Sequence, residues 1–308
     1  MSNYINHLVS IVIPTYKMSY MLTRAIDSVL NQTYRDIECL VVNDNIKGDE
    51  YSQLLYDIVK PYMKDSRFKV VEQPMHINGA AARNAGIREA KGEYIGFLDD
   101  DDFYDLRKIE RQVEVLQSLD DSFGAVSCLM KLYHDGKLTY LTVPYSCDNL
   151  HFKVLAHSVS LGTGTVLIRR ECLDQAGYWD ENLKRFQDLQ LFAFLTRKYK
   201  VKLIPDYLHN RENKDSQNRP TIDNYETLKT SYMQSVSFLI NEFGWLRKDA
   251  ILRIYDFEAA PLYIRNGRKF IGLLKLLKVL LNPISLSHAF LILKDRLMGR
   301  LVKKQIAN

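Results

Sequence analysis

Apolar residues along the first hundred positions alternate between short β-branched runs and stretches with helical spacing. The runs predict strands, and the stretches carry apolar residues three or four positions apart, which is typical of amphipathic helices. The predicted strands cover residues 8–13, 37–42, 68–71 and 94–98, and one of the helices between them covers residues 80–90. Strands that alternate with helices at this interval indicate βαβ units and a parallel sheet. The first half of the chain is therefore predicted to be an α/β domain of the nucleotide-binding kind.

The second half of the chain has a mixed pattern, because the alternation ends near residue 105. The predicted elements are strands over 124–130 and 137–143 with a hairpin turn at His134-Asp135-Gly136, a strand over 163–168, and a helix over 186–199. From residue 221 to about residue 263 the pattern is helical, and two apolar segments with basic residues follow over 270–281 and 286–301.

These patterns divide the chain into two regions. Residues 1–215 are predicted to form the α/β domain, with a nucleotide-binding half over 1–105 and an acceptor-binding half over 106–215. Residues 216–308 are predicted to form a helical region that ends in a basic amphipathic tail from about residue 265.

Charge is distributed unevenly along the chain. The net charge is +5, but residues 261–308 hold ten Lys and Arg against the single acid Asp295. Segments this short and this charged do not span a bilayer, and we expect them to lie on an anionic membrane surface. The alternatives are that these helices pack on the α/β domain or form a homodimer contact. Nucleic-acid binding is not expected, since aromatic residues are sparse among the charges and no RNA- or DNA-binding motif is present.

The cysteines and the N-terminal sequence bear on the compartment. The four cysteines show no CxxC pairing, and the first residues lack the basic flank and apolar core of a secretory signal. No apolar run approaches the roughly 20 residues of a membrane span. We therefore expect a cytoplasmic protein that is peripheral at the inner face of the cell membrane.

The predicted strand over 94–98 runs directly into four consecutive carboxylates, Asp99 to Asp102. Carboxylates in a row repel one another, and a divalent cation that prefers oxygen ligands, such as Mg²⁺ or Mn²⁺, relieves that repulsion. The carboxyl ends of strands in an open parallel sheet border the ligand crevice, so a metal held here would face a substrate. The alternative is a solvated acidic turn that caps the next helix.

Three further features follow predicted strands, namely Pro14-Thr15-Tyr16, Asp44 and the loop that leads from His76 into a helix. In a parallel sheet these loops lie along one edge together with the acidic run. Tyr16 could stack on a base, and Asp44 could accept a hydrogen bond from a ring N–H or a ribose hydroxyl. Taken singly, Tyr16 and Asp44 are more often ordinary loop residues, and Arg83 more often makes a local ion pair.

Together these features resemble family 2 glycosyltransferases, which are inverting enzymes that use nucleotide sugars. The resemblance covers roughly residues 8–215, and its matching stretches are 9–16, 40–44, 82–86, 92–102 and 177–182, followed by Gln187-Asp188. It implies a GT-A fold, in which a Rossmann-like nucleotide-binding domain has a mostly parallel central sheet, here with a C-terminal helical extension.

The resemblance also implies roles for individual residues. It makes Asp188 the catalytic base, and Asp101 the primary metal ligand with Asp99 as the second acid of the DxD motif. His209 is assigned either to the metal or to a plain loop, because its spacing is offset from the family pattern. Asp102 is left with a helix-capping or supporting role. The residues assigned to donor binding are Pro14, Thr15, Tyr16, Asp44, Asn78, Arg83, Asp99 and Asp100.

The chain departs from the family pattern at two further points. The usual Asp-Asp-Gly-Ser is Asn43-Asp44-Asn45-Ile46, which keeps the acid expected at the base but drops one carboxylate. The usual Glu-Asp pair is Gln187-Asp188, which keeps the catalytic acid and alters its neighbour.

The expected function is that of a non-processive, metal-dependent inverting glycosyltransferase, with Mn²⁺ or Mg²⁺ as cofactor. It would transfer a sugar from a nucleotide-sugar donor, most often a UDP-sugar in this family, to a glycan or lipid-linked acceptor in cell-surface polysaccharide biosynthesis. The Gln-x-x-Arg-Trp motif of the processive synthases is not found. A metal-dependent nucleotidyltransferase and an inactive sugar-nucleotide-binding scaffold at the membrane are the alternatives. The first should show a glycine-rich loop after the first strand, and Pro14-Thr15-Tyr16 is not one.

Overall fold

A computed structural model describes residues 4–17, 20–159, 161–212 and 221–306, the last seven of these by their backbone alone. The strands are β1 Ile5–Thr15, β2 Ile37–Asn43, β3 Phe68–Glu72, β4 Gly92–Phe97, β5 Phe103–Tyr104, β6 Phe123–His134, β7 Lys137–Leu141, β8 Leu167–Arg169 and β9 Lys200–Glu212. The helices are α1 Leu22–Leu30, α2 Glu50–Val59, α3 Gly79–Glu89, α4 Lys108–Ser118, α5 Leu150–Leu155, α6 Arg170–Ala176, α7 Gln187–Lys198, α8 Ile222–Ser235, α9 Ser237–Asn241, α10 Trp245–Arg265, α11 Lys269–Lys278 and α12 Pro283–Ile306.

The strands form one curled sheet with the order β3-β2-β1-β4-β8-β6-β9-β5, and β7 pairs with β6. β1, β2, β3 and β4 are mutually parallel, while β8 is antiparallel to both β4 and β6. β9 is parallel to β6, so six of the nine described strands run in one direction. The prediction of a mostly parallel α/β sheet is confirmed.

Each face of the sheet is covered by helices, because successive side chains of a strand lie on opposite faces. Ile11 and Ile13 of β1 belong to a core shared with α1 and α4, while Val12 belongs to a second core with α3, α5 and α7. Tyr232 and Tyr255 of the C-terminal helices are buried in this second core. The helical extension therefore shares a core with the α/β region, and the predicted boundary at residue 215 lies outside the described residues.

Several predicted elements of the second half are confirmed and one is wrong. Asp135 and Gly136 of the predicted hairpin turn both have positive φ, 50° and 71°, as a two-residue hairpin loop requires. The predicted strand over 163–168 begins instead as a 3₁₀ turn at Thr163–Thr165, and β8 starts at Leu167. The turn forms because the Gly162 carbonyl accepts both the backbone N–H and the hydroxyl of Thr165.

The C-terminal helices fold back on the α/β region and also expose apolar surface. α11 and α12 pack against α10, and Tyr140 of β7 donates a hydrogen bond to Asp295 of α12 at 2.6 Å. Large apolar side chains on α11 and α12 nevertheless face solvent, among them Phe270 at 73% and Phe290 at 66% exposure. Within the described residues no single helix is long and apolar enough to cross a membrane, and only the bent pair 269–281 and 283–299, which meet at 117°, qualifies by length and composition.

Candidate functional site

The carboxyl ends of parallel strands meet at one edge of the sheet. β1 ends at Thr15, one residue after Pro14, β2 ends at Asn43 and β4 ends at Phe97. β9 runs in the same direction and ends at Glu212. In open α/β sheets this edge forms the ligand crevice. The motifs that follow these strands in the sequence are therefore brought side by side.

An exposed aromatic ring and a buried carboxylate adjoin each other at this edge. The Tyr16 ring, which is 42% exposed, stacks on the His76 ring with centroids 3.7 Å apart. Asp44 is buried, its Oδ2 atom lies 2.9 Å from His76 Nδ1, and its Oδ1 atom accepts a hydrogen bond from Gln73 Nε2 at 2.9 Å. The Asp44 backbone N–H donates to the Thr15 carbonyl at 3.0 Å. Tyr16 and Asp44 offer a nucleobase one ring to stack on and one carboxylate to hydrogen-bond to, and His76 engages both groups in this structure.

The ionisation of Asp44 depends on its histidine partner. Burial raises the pKa of the Asp44 carboxyl, while the charge and hydrogen bond of His76 lower it, and the net pKa is raised. The sequence pointed to the loop that begins at His76 but not to this contact, because a pairing across 32 positions leaves no local signal.

The first two carboxylates of the acidic run have different partners. Asp99 accepts a hydrogen bond from Arg83 Nη2 at 2.5 Å, and Asp100 accepts one from the Thr15 hydroxyl at 2.6 Å. Loss of hydration raises the pKa of the Asp99 carboxyl, but Arg83 and Arg211 outweigh it and leave that pKa lowered. Asp99 is therefore held as a carboxylate among guanidinium groups.

Asp102 supports the site from the interior. Its Oδ2 atom lies 3.1 Å from His209 Nε2, and its Oδ1 atom accepts the Glu212 backbone N–H at 3.0 Å. The proposed helix-capping role of Asp102 is wrong, because β5 follows it directly and α4 begins only at Lys108. The other alternative, a supporting role, agrees with these contacts, since Asp102 ties the acidic run to β9.

His209 is buried in the fold and lines the polar side of the site. It is 2% exposed, and among the described residues its Nδ1 atom has no hydrogen-bond partner. A Cβ atom built on Gly164 would lie only 2.3 Å from His209 Cε1, so only a glycine fits against the ring. A plain loop position is therefore wrong for His209, which lies within β9 and packs in the core of the site.

The metal assignment to Asp101, Asp99 and His209 can be tested against the chemistry of the donor groups. No cluster of three His, Cys, Asp or Glu side chains suited to a metal ion occurs in the described part of the chain. His209 Nε2 is engaged with Asp102, and the Asp101 carbonyl accepts a hydrogen bond from Arg24 Nη2 at 2.9 Å. Mg²⁺ is commonly held by one or two carboxylates together with substrate phosphates. The acidic run supplies carboxylate oxygens of this kind, but Asp99 is already paired with Arg83, so a cation held by Asp99 and Asp101 would require the diphosphate as a further ligand.

A polar cavity of about 270 Å³ lies against the acidic run. Asp99, Asp102 and Asp188 are its acidic lining residues. Its cationic lining residues are Arg83, Lys184, Arg185 and Arg211. Because cations outnumber carboxylates in a confined space, the cavity favours an anionic ligand such as a diphosphate.

Asp188 reaches this cavity from the first turn of α7. The residue before the helix, Phe186, has φ 63°, so the chain enters α7 through a left-handed conformation. Asp188 is half-buried, and its Oδ1 atom accepts the Leu189 backbone N–H at 2.9 Å. The structure thus brings Asp188 and Asp99, which are 89 positions apart in the sequence, to one cavity.

Asn78 has a structural role that the donor assignment did not include. Its side-chain oxygen accepts the backbone N–H groups of Ala80 and Ala81 and so caps α3, and its amide donates to the Glu181 carbonyl at 2.7 Å. The cap fixes the start of the helix that carries Arg83.

Several residues of the site were not predicted from the sequence. They are Arg24, Gln73, Trp179, Lys184, Arg185 and Arg211. Lys184 and Arg185 lie shortly before Gln187-Asp188 in the sequence. Two adjacent cations so close to the predicted catalytic acid could have indicated an anion-binding site. Trp179, whose ring lies 4.8 Å from the Arg83 guanidinium, is part of a matched stretch but was not assigned a role.

Comparison with known sequences gives a consistent family match. Residues 10–172 match the model of glycosyl transferase family 2. An uncharacterized glycosyltransferase of Rickettsia prowazekii is 31% identical over 296 residues, which are 88% of each chain. An uncharacterized glycosyltransferase of Rickettsia typhi is 32% identical over 75% of this chain and 73% of its own, and EpsJ of Bacillus subtilis is 30% identical over 77% and 71%.

Solved structures show the same fold. Residues 1–349 of S. aureus TarS, solved also with UDP and with UDP-GlcNAc, superpose with a TM-score of 0.61 at 20% identity, over 84% of this chain and 74% of that one. The mannosyltransferase PcManGT of Pyrobaculum calidifontis, solved with GDP-Man and Mn²⁺, gives a TM-score of 0.51 at 18% identity over 93% and 74%. The predicted GT-A fold is confirmed by these matches.

Proposed function

The chain belongs to glycosyl transferase family 2, and from that membership we propose that it is a non-processive inverting enzyme that uses a UDP-sugar donor. The observation that carries the proposal is the cavity that Asp99 and Asp188 line together with four cationic side chains. A donor diphosphate would lie among these cations, with its sugar between the acidic run and Asp188. That the enzyme is a glycosyltransferase follows from its family; the choice of donor, the acceptor and the mechanism are proposed.

The nucleoside would bind where Tyr16 and Asp44 adjoin. The exposed Tyr16 ring offers a stacking surface, and the buried Asp44 carboxylate offers an acceptor to a ring N–H. Pro14 and Thr15 form the neighbouring strand end. UDP is favoured because the solved structure of TarS was obtained with UDP and with UDP-GlcNAc.

Residues of this chain would neutralise and orient the diphosphate. Arg83 and Arg211 act on Asp99 electrostatically and line the same cavity, so their charges are available to a ligand that bridges them. Mg²⁺ or Mn²⁺, held by Asp101 and Asp99, would add positive charge that stabilises the departing nucleoside diphosphate. Asp100, whose carboxylate accepts the Thr15 hydroxyl, would lie near the ribose or the sugar.

Asp188 would act as general base on the acceptor. A hydroxyl is a weak nucleophile, and a carboxylate that takes its proton during attack raises the rate by a factor on the order of 10²–10⁴. Attack from the side opposite the leaving diphosphate inverts the anomeric centre in one displacement. Transfer of the sugar to a glycan or lipid-linked acceptor would then contribute to a cell-surface polysaccharide that is built from the cytoplasmic side.

We further propose that the enzyme is peripheral at the inner face of the cell membrane. Exposed apolar side chains on α11 and α12, interspersed with basic residues such as Lys269 and Lys294, support this location. Lys275 does not contribute, because it is 13% exposed and pairs with Asp256. Arg300, Lys303 and Lys304 lie beyond the described side chains.

The test uses the full chain with a panel of UDP-, GDP- and dTDP-sugars and Mn²⁺, scored for nucleoside diphosphate release, and requires no acceptor. We expect release from a UDP-sugar, and we expect Asp188→Asn to lower it by about 100-fold or more while donor affinity stays within about two-fold. Asp57→Asn, at an exposed position on α2, is the matched control and should behave like the wild type. Normal turnover by the Asp188→Asn variant, or loss of its donor binding, would show that Asp188 is not the base.

A further inference from the structure

A second, larger cavity of about 780 Å³ lies between the β6–β7 hairpin and α12. Its lining is mainly apolar and includes Leu129, Val143, Val159, Leu291 and Met298. The volume lies within the range of small-molecule binding sites, which are typically apolar with a few polar groups. None of the residues assigned to the donor lines this cavity.

The large cavity adjoins the polar cavity of the donor site. Met130 lines both, and Thr165 of the large cavity follows directly after Gly164 of the polar one. His157, another lining residue, is close enough to Asp188 to sense its charge: burial lowers the pKa of His157, but Glu258 and, more weakly, Asp188 raise it above its usual value. A ligand in the large cavity could therefore present a group to the proposed base.

The charged residues that line the large cavity carry a small excess of positive charge. Lys153, Lys294 and Arg296 stand against Glu258 and Asp295, so the fixed charges sum to +1 before His157 is counted. His157 Nδ1 is hydrogen-bonded to Glu258, and Arg296 Nη2 lies 3.4 Å from the same carboxylate. This polar part of the lining suits an anionic headgroup such as a phosphate.

The mouth of the large cavity is apolar. Leu291 and Met298 of α12 line the cavity and are also 44% and 39% exposed. On the same helix, Phe290, Leu293 and Leu297 are exposed at 66%, 52% and 60%. The exposed apolar surface of α12 is therefore continuous with the apolar lining of the cavity at Leu291 and Met298.

We propose that the large cavity binds the hydrocarbon chain of a lipid acceptor with an anionic headgroup, whose reacting end lies towards Asp188. This inference rests on the proposed glycosyltransferase function and names its acceptor class. A purely hydrophilic glycan would leave the apolar walls of the cavity in contact with water, whereas a hydrocarbon chain removes them from it. Each methylene buried there should strengthen binding by about four-fold until the cavity is full.

The experiment measures binding of octyl, decyl and dodecyl phosphate to the full chain by calorimetry, below their micelle concentrations, in parallel with UDP binding. We expect affinity to rise with chain length in the wild type. Leu291→Glu places a charge at the mouth and should weaken dodecyl phosphate binding by at least ten-fold. Leu293→Glu, the same change at an exposed position of α12 that does not line the cavity, should remain within two-fold.

The outcomes separate this inference from the function on which it rests. Unchanged UDP binding in both variants shows that they are folded, so a selective loss of dodecyl phosphate binding in Leu291→Glu supports the cavity as the lipid site. Affinity that does not depend on chain length, or an equal effect of both variants, would overturn the inference alone. A wild-type protein that neither binds UDP nor releases it from any UDP-sugar would overturn the proposed donor, whatever the alkyl phosphates show.

Discussion

His76 occupies the place where a nucleobase would stack in the proposed donor site. Its ring covers Tyr16 at 3.7 Å and its Nδ1 atom engages Asp44 Oδ2, so a base that uses both groups must first displace it. We therefore expect His76→Ala to tighten UDP binding by a few-fold. Tyr16→Ala should weaken it by at least five-fold, because base–aromatic stacking contributes about 1–3 kcal/mol. Calorimetric titration with UDP measures both; weaker binding by His76→Ala would mean that the histidine contacts the nucleotide instead of yielding to it.

At the scale of residues, the sequence predicted which residues belong to the site better than it predicted the side chains that they contact. Asp44, Asp99 and Asp188 were predicted because they follow strands or a matched motif, and the structure places the last two in one cavity. The partners that set their charge, such as His76 and Arg211, are distant in the sequence and belong to no short pattern. Asn78 shows the reverse case, since a polar residue at a loop end is also the expected cap of a helix.

The 3₁₀ turn at Thr163–Thr165 holds β9 in place through Gly164. A methyl group at Gly164 would lie within 2.3–2.9 Å of three His209 ring atoms, and the ring has no room to retreat because it is buried against Asp102. We expect Gly164→Ala to lower the free energy of unfolding by about 1–3 kcal/mol and to slow nucleoside diphosphate release. Urea unfolding and the release assay measure the two effects.

The neighbouring glycine of the same turn provides the control. A methyl group at Gly162 would meet its nearest atom, Thr165 Cγ2, at 3.4 Å, which is ordinary contact. Gly162→Ala should therefore change the free energy of unfolding by less than about 0.5 kcal/mol. Equal destabilisation by both variants would show that the turn resists any side chain and that contact with His209 is not the cause.

Helix α4 buries a lysine whose Nζ atom lies 4.0 Å from the Tyr104 ring centroid. Lys108 is 0% exposed, its Nζ atom donates to Gln112 Oε1 at 2.6 Å, and burial lowers its pKa to about 8. An unfolded lysine titrates near 10.4, so between about pH 8 and pH 10.4 the unfolded state binds more protons and stability rises with pH. Relative to Lys108→Met, the wild type should gain about 3 kcal/mol in free energy of unfolding across this range.

Urea unfolding at pH 7, 8, 9 and 10.4 measures the Lys108 effect as the difference between wild type and variant, which cancels the titration of other groups. Lys137→Met, at an exposed position of β7, should leave the pH dependence unchanged. Parallel curves for the wild type and Lys108→Met would mean that the lysine stays hydrated in the folded protein.

The elements of the first half were predictable because each has a strong period of its own, and α3, for example, begins and ends within one residue of its predicted bounds. The strand predicted over 163–168 failed because hydrogen bonds of Thr165 to Gly162 outweigh its β-branched composition. The region from 221 to 263 was predicted as helical, but its breaks at Val236 and near Gly244 were not. The breaks let Tyr232 and Tyr255 pack in one core. The positions of the breaks follow from this tertiary packing and leave no local pattern in the sequence.

On the scale of the whole molecule, α12 forms part of the wall of the large cavity. Ile292 is buried in the core, Leu291 lines the cavity, and Phe290 and Leu293 are exposed. The sequence showed only that the tail is apolar and basic, and it left membrane contact and packing on the protein as alternatives. The structure shows that these helices pack on the protein with one face and expose apolar side chains on another, so packing does not exclude membrane contact.

Membrane association should therefore depend on the exposed apolar side chains of α11 and α12. We expect the full chain to float with anionic liposomes, and to do so less with neutral liposomes or at high salt, because basic residues contribute about 1 kcal/mol each near an anionic surface. Phe270→Glu and Phe290→Glu each remove a side chain that contributes about 1.5–3 kcal/mol when it is buried, so each should lower the bound fraction by at least ten-fold at limiting lipid. Ile5→Glu, at a position of β1 that is 55% exposed, is the matched control and should float like the wild type. If all three variants float as well as the wild type, the exposed face of α11 and α12 serves another contact, such as the homodimer. Analytical ultracentrifugation would then show a molar mass that rises with protein concentration.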